Sequence, residues 1–213
     1  MKLEHIRIVP NILTSVYGYV EDKYIDIDCN LENLIHTRYY LTIYLEDEDD
    51  EIQEEIGRIE LIYLDIILAE KNGYGVEDVF DMTSSDVYLA YKHLYDNDET
   101  PNMKYISEYV DNAVYVDRFD INKKYRNMGL GSKIMENLPE LLSQLLKLYP
   151  TYIFLYANPY ERTSDENDNE IIEHCRRIDD KNAIEKLIKF YEKNGYKRVE
   201  NTQYMVRNLY EDC

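Results

Sequence analysis

The chain has 213 residues, 45% of them apolar, enough to bury a full core, and one large domain over 1–213 is the expectation. A formal charge of -19 implies a well-solvated surface, and it argues against nucleic-acid phosphates as a partner and for a cationic one. No run of 18 apolar residues offers a membrane span, and the N-terminal Met-Lys-Leu-Glu-His-Ile-Arg lacks the apolar stretch of a signal peptide. Cys29, Cys175 and Cys213 are odd in number and without ligand spacing, so a reduced, cytoplasmic setting fits and no metal is expected.

In chain order, Leu3, Ile6 and Ile8 predict a first strand over 3–9, stopped by Pro10. Residues 16–28 hold two short alternating runs and read as an extra hairpin. A longer hairpin pairs 38–45 with 56–68. Its tip carries eight acids in the ten positions 46–55, which favours a water-exposed loop. Residues 76–95 predict a helix broken near Thr83-Ser84-Ser85, with Ser85 or Asp86 capping a second piece whose apolar face is Val87, Ala90, Tyr91 and Leu94.

The central stretch is 114–135. Val114, Val116 and Ile121 make a strand, and from Leu130 the apolar positions 134, 135, 138, 141, 142, 145, 146 and 149 repeat at helical spacing, with a kink expected at Pro139. Between strand and helix lies Arg126-Asn-Met-Gly-Leu-Gly131. A glycine-bearing turn feeding a helix N-terminus presents unpaired N–H groups, the helix dipole and no obstructing Cβ, which suits a pyrophosphate. Five cations (Arg118, Lys123, Lys124, Arg126, Lys133) against one acid (Asp120) mark 118–133 as a cationic island in an acidic chain.

Further on, 152–157 is a strand ending at Asn158-Pro159, and 161–169 reads as a flexible polar insertion, with His174 and Cys175 in a helix after it. Asp165, Asn167 and Asn169 have calcium-loop spacing, but Glu170 and Arg176 occupy the glycine and bidentate-glutamate positions, so calcium is rejected. Asp179 or Asp180 caps a last helix with Ala183, Ile184, Leu187, Ile188 and Tyr191 on one face, ended by Asn194-Gly195. Residues 196–199 and 204–209 close the chain as a hairpin. The order predicts an α/β fold, a mixed central β-sheet flanked by helices.

Arg126-x-x-Gly129-x-Gly131 after a strand resembles the acetyl-CoA signature of the GCN5-related N-acetyltransferase (GNAT) superfamily. Phe190-Tyr-Glu-Lys-Asn-Gly-Tyr-Lys-Arg-Val199 resembles that family's closing helix and turn, in the family's order. The resemblance covers about 114–209, an acetyl-CoA-binding half, and leaves 1–113 as a divergent acceptor-side half in which strands occupy the interval where the family has two helices.

The resemblance implies an acetyl-CoA-dependent N-acetyltransferase, with acetyl-CoA as co-substrate. Phe119, Asp120 and Ile121 would hold the pantetheine arm, and Arg126, Asn127, Met128, Gly129, Leu130, Gly131 and Ser132 the pyrophosphate. Asn158 would touch the pantetheine, and Tyr191 would protonate the departing thiolate. Candidates for the general base are Asp120, Glu60 and Asp117. The base is needed because an amine of pKa about 10.4 is neutral only about once in 2,500 at pH 7. The expected acceptor is a cationic primary amine, on a small molecule or a basic protein, reached by direct transfer, with no nucleic acid and no membrane; a homodimer is one assembly left open. The competing reading is an acidic interaction protein that mimics nucleic acid on a catalytically inactive scaffold of the same fold.

Overall fold

The computed structural model describes residues 5–13, 17–21, 24–28, 31–46, 52–96, 99–108, 112–167 and 170–210. The chain begins with β1 (His5–Leu13), a separate small hairpin of β2 (Tyr17–Glu21) and β3 (Tyr24–Asp28), and a short helix α1 (Leu31–Ile35). A long hairpin follows, β4 (His36–Glu46) and β5 (Ile52–Leu64), then three helices, α2 (Ile66–Lys71), α3 (Val76–Asp81) and α4 (Ser85–Leu94). After β6 (Ala113–Ile121) come α5 (Leu130–Glu136), α6 (Leu138–Leu141) and β7 (Tyr152–Tyr156). The chain closes with a hairpin of β8 (Tyr160–Asn167) and β9 (Glu170–Arg177), helix α7 (Lys181–Lys193), β10 (Lys197–Arg198) and β11 (Tyr204–Asn208).

Seven strands form one mixed sheet in the order β1-β4-β5-β6-β7-β11-β10, parallel only where β6 meets β7. Side chains alternate across the pleat. Val114 and Val116 therefore enter one core, with Leu130, Ile134, Met135 and Ile188 of the helices around α5 and α7. Ala113 and Tyr115 enter the other, with Val79, Phe80, Ala90 and Leu94 of α3 and α4. Both faces of the sheet are covered, which is why the central strands read as near-continuous apolar runs.

The α/β expectation holds: a mixed sheet with helices on both sides. The expected hairpins form as β2–β3, β4–β5 and β10–β11, and the helix break is at Thr83. There the cap is Ser84, one residue before the expected Ser85 or Asp86, and its hydroxyl accepts from the Val87 N–H at 3.3 Å. Asp180 caps α7. Four further expectations are corrected. Pro10 does not stop the first strand, because β1 is a sheet edge and an edge strand tolerates a missing donor. The β5 strand ends at Leu64, where Asp65 takes the Leu68 N–H at 2.9 Å and starts a helix. The stretch from Leu130 is not one long helix: α5 stops at Asn137, ahead of Pro139, and Leu145 and Tyr149 end up exposed. The insertion is no loop with a helix but the β8–β9 hairpin, which contains 174 and 175. The acidic tip 47–51 lies outside the described residues, whereas Glu54 and Glu55 belong to β5.

Among the described residues no helix is long and apolar enough to cross a membrane, and no cluster of His, Cys, Asp or Glu is arranged to hold a metal ion.

Candidate functional site

The site begins where β6 loses a neighbour. Its parallel pairing with β7 covers only 113–116 against 152–155. On the other side it stays paired with β5 out to Ile121, but Glu60 faces Arg118 while Leu61 faces Val116. Asp117 has no opposite residue, so the strand bulges there and turns, as an inserted residue requires. Beyond the bulge β6 runs on to Ile121 while β7 ends at Tyr156 and leaves through Asn158, Pro159 and Tyr160. The two strands part, and a cavity of about 560 Å³ opens between them.

The turn after β6 closes one end of this cavity. Asn122 pins it to β5: its N–H donates to the Ile56 carbonyl at 2.8 Å and its side-chain amide to the Glu55 carbonyl at 2.7 Å. Asn127 (φ 63°) and Gly129 (φ 80°) both adopt the left-handed conformation, and Gly129 immediately precedes α5. Such a curl turns successive amide groups to one side and leaves an anion-sized concavity. A Cβ at Gly131 would stand 3.5 Å from the Phe190 ring and 3.7 Å from that of Phe119, in the cavity wall.

Most of the residues expected from the sequence meet here. Phe119, Asp120, Ile121, Arg126, Asn127, Gly129, Gly131, Ser132, Asn158 and Tyr191 all line the cavity. Met128 does not; its side chain is 51% exposed and points elsewhere. Leu130 is buried in the core and offers only its backbone. Glu60 is not part of the lining; it lies across the pleat from Leu61 and Ile59, paired with Arg118 at 3.7 Å. Asp117, at the bulge, does line it and faces Arg38 at 3.6 Å.

Tyr125, Tyr156, Tyr160 and Lys186 also line the cavity and were not anticipated. Lys186 was legible. Residues 183, 186, 187 and 190 share a helical face, and that face turns to the cleft together with Tyr191, while Ile184 and Ile188 of the expected stripe do not line it. Tyr160 carried no periodic signal, because only the parting of the strands brings it in. The cleft's more buried lining is apolar, with Phe119, Leu187, Phe190 and Tyr191, and its exposed lining is polar, with Arg126, Asn127 and Lys186.

Two of the five cations of the island are paired with acids. Lys124 binds Glu54 at 2.8 Å, and Tyr125 donates to the same carboxylate at 2.6 Å. Those two hydrogen bonds hold the Glu54 carboxyl below its ordinary value and the Lys124 ammonium above its own. Arg118 pairs with Glu60. Arg126 turns its Nε to the Ile121 carbonyl at 2.6 Å and leaves the rest of its guanidinium at the cavity. Counting charges along the chain overstated the island, because β5 supplies acids the count did not include.

Burial governs the ionisable groups. It pushes the Tyr191 phenol up from its ordinary value, so this tyrosine is a protonated donor at neutral pH. Its ring also packs against Phe190 and Tyr196 at 5.1 and 5.6 Å, so core and cleft share it. Burial likewise raises the Glu60 carboxyl, against the pull of Arg118 and with the push of Asp117 and Asp120.

No family model matches the sequence, and none of the curated proteins does. Among solved structures, the KacTA–DNA complex aligns at 13% identity over 97% of this chain and 100% of that one, with a TM-score of 0.40. AtaTR bound with acetyl-CoA aligns at 13% identity over 96% and 94% of the two chains, with a TM-score of 0.38. AtaT complexed with acetyl-methionyl-tRNAfMet aligns at 12% identity over 97% of both, also at 0.38. The likeness is one of fold, at a distance. Two of these structures are nucleic-acid complexes, which overturns the expectation that nucleic acid is excluded and, with it, the restriction to a cationic amine. Net charge sums the whole chain and fixes nothing about one local surface.

Proposed function

We propose that the cleft binds acetyl-CoA and that the protein is an acetyl-CoA-dependent acetyltransferase, with 114–209 as the donor-binding half and 1–113 as the acceptor side. One observation carries this reading. Two motifs about 60 residues apart in sequence, the 126–131 turn and Tyr191 in its closing helix, line the same cavity, at the point where β6 and β7 separate. The cavity's division also matches the ligand: an anionic nucleotide end suits the exposed polar lining, and a pantetheine arm suits the more buried apolar lining.

Three tasks divide among the lining residues. Backbone N–H groups at 127–132, with Arg126, hold the pyrophosphate. The edge of β6 at 119–121 lacks β7 as a partner and offers its amide groups to the pantetheine, as a strand edge does. Tyr191 stands ready to hydrogen-bond the departing sulfur. Asp120, in the lining, is better placed than Glu60 to accept a proton from the acceptor.

The test is titration calorimetry of acetyl-CoA into the purified protein. Roughly micromolar affinity supports the reading. No binding removes it and leaves the acidic interaction protein, for which capture of basic partners is the next measurement.

A further inference from the structure

Two hydroxyls of the described residues are enclosed without a hydrogen-bond partner, those of Tyr160 and Tyr196. Native proteins seldom leave a buried hydroxyl unpaired, and the exceptions call for an explanation. Tyr196 has a bland one, since it lies in the core against the Tyr191 ring and does not line the cavity. Tyr160 does line it, at the fork of the two strands. Its hydroxyl makes no hydrogen bond, while the Phe119 backbone and the Asp120 carboxylate act on it electrostatically.

We propose that the Tyr160 hydroxyl is a catalytic group of this cleft: it donates a hydrogen bond to the thioester carbonyl oxygen of the bound acyl donor, beside the Phe119 N–H, and completes an oxyanion site. This rests on the acetyl-CoA reading above. An arriving carbonyl oxygen is a better acceptor for the Phe119 amide than a phenol is. Since the hydroxyl makes no hydrogen bond of its own, the oxygen can receive both donors. Burial raises the phenol above its ordinary value, so it carries its proton throughout the neutral range.

The step balances simply. The acceptor's lone pair forms a bond to the carbonyl carbon, and the C=O π pair moves to oxygen, where the two donors meet the new negative charge. The C=O then reforms, the C–S bond breaks, and the thiolate leaves with its pair. One proton passes from the acceptor atom to Asp120, the thiolate takes one up from Tyr191, and solvent restores both groups.

The probe is acetyl-CoA labelled with ¹³C at the carbonyl, which needs no knowledge of the acceptor. Bound to the wild-type protein, its carbonyl resonance moves downfield from its position in water, as polarisation by two donors requires. In Tyr160→Phe the greater part of that displacement is lost. Calorimetry on the same variant shows the preference for acetyl-CoA over CoA falling roughly 3-fold to 10-fold, the worth of one hydrogen bond, with CoA itself bound as before. An identical resonance and an unchanged preference overturn the proposal. So does a variant that fails to fold, because the hydroxyl would then hold a structural bond it is inferred not to make. If the wild type binds no acetyl-CoA, the reading of the cleft fails and this inference with it. If the wild type binds and only the Phe substitution is silent, the inference alone fails.

Discussion

Strand β6 is two strands in one. Over 113–116 it is hydrogen-bonded on both sides, fully buried, and packed on β7 side chains such as Phe154. Over 117–121 it keeps β5 alone, carries Asp117, Arg118 and Asp120, and borders the cavity. A single residue with no β5 partner, Asp117, separates a segment that holds the molecule together from one that borders the cleft. The core and the proposed binding edge thus lie end to end on one strand, and substitutions on the two segments should fail in different ways.

The largest expected effect breaks the paired segment. Phe154 is 1% exposed and stacks on Phe80 at 5.6 Å, so Phe154→Ala should cost about 3–5 kcal/mol in urea unfolding, whatever it does to binding. A loss below about 1 kcal/mol would show that the β6–β7 junction is not a core at all.

The next effect falls on the open segment's turn. A Cβ at Gly129 meets nothing within 4 Å, but the residue sits at φ 80° beside the cavity. Gly129→Glu should therefore weaken acetyl-CoA binding by about 100-fold or more, since a carboxylate would face the pyrophosphate. The same position as alanine should cost only about 1 kcal/mol of stability. Equal acetyl-CoA affinity in the Glu variant and the wild type sinks the placement of the pyrophosphate.

A smaller effect sharpens the role of a residue shared between core and cleft. Tyr191→Phe keeps the ring contacts and removes the hydroxyl. Turnover should fall about 10-fold or more while acetyl-CoA affinity stays within a factor of two. Steady-state kinetics with any acceptor found by screening decides it, and equal turnover returns Tyr191 to the core.

The smallest is a question of sign. Burial raises the Glu60 carboxyl, so the folded protein binds a proton there more readily than the unfolded chain. Its contribution is complete below the ordinary glutamate value and is lost as pH rises through the raised one. Glu60→Gln should therefore be as stable as the wild type, or slightly more so, at pH 7, with the difference vanishing in mild acid. A variant clearly less stable at pH 7 would mean that the Arg118 pairing outweighs burial.

How much of this was legible in the sequence follows from the range of the interactions. Hairpins, caps and helix faces depend on neighbours within a few residues: Val87, Ala90, Tyr91 and Leu94 are buried at the helical spacing that marked them. Asn194-Gly195 ends α7 with a left-handed glycine, as its residue types require. The 126–131 turn was legible for the same reason, since left-handed φ and a helix start are local events. Where range grew, the reading failed. The polar 161–169 segment has no apolar period, yet 161–167 pair with 170–176 through backbone bonds that the side chains do not announce. Lys124 looked like a free cation until β5 brought Glu54 to it from 70 residues away.

By itself, then, the sequence determined most of the hairpins and helices, the cationic turn and the two motifs, because each is written in adjacent residues. Only the tertiary structure decided which charges survive pairing, that Glu60 stands outside the cleft lining, and that Tyr160 stands inside it. These facts depend on the one-residue bulge at Asp117 and the short parallel pairing of β6 with β7, which are matters of register between distant segments.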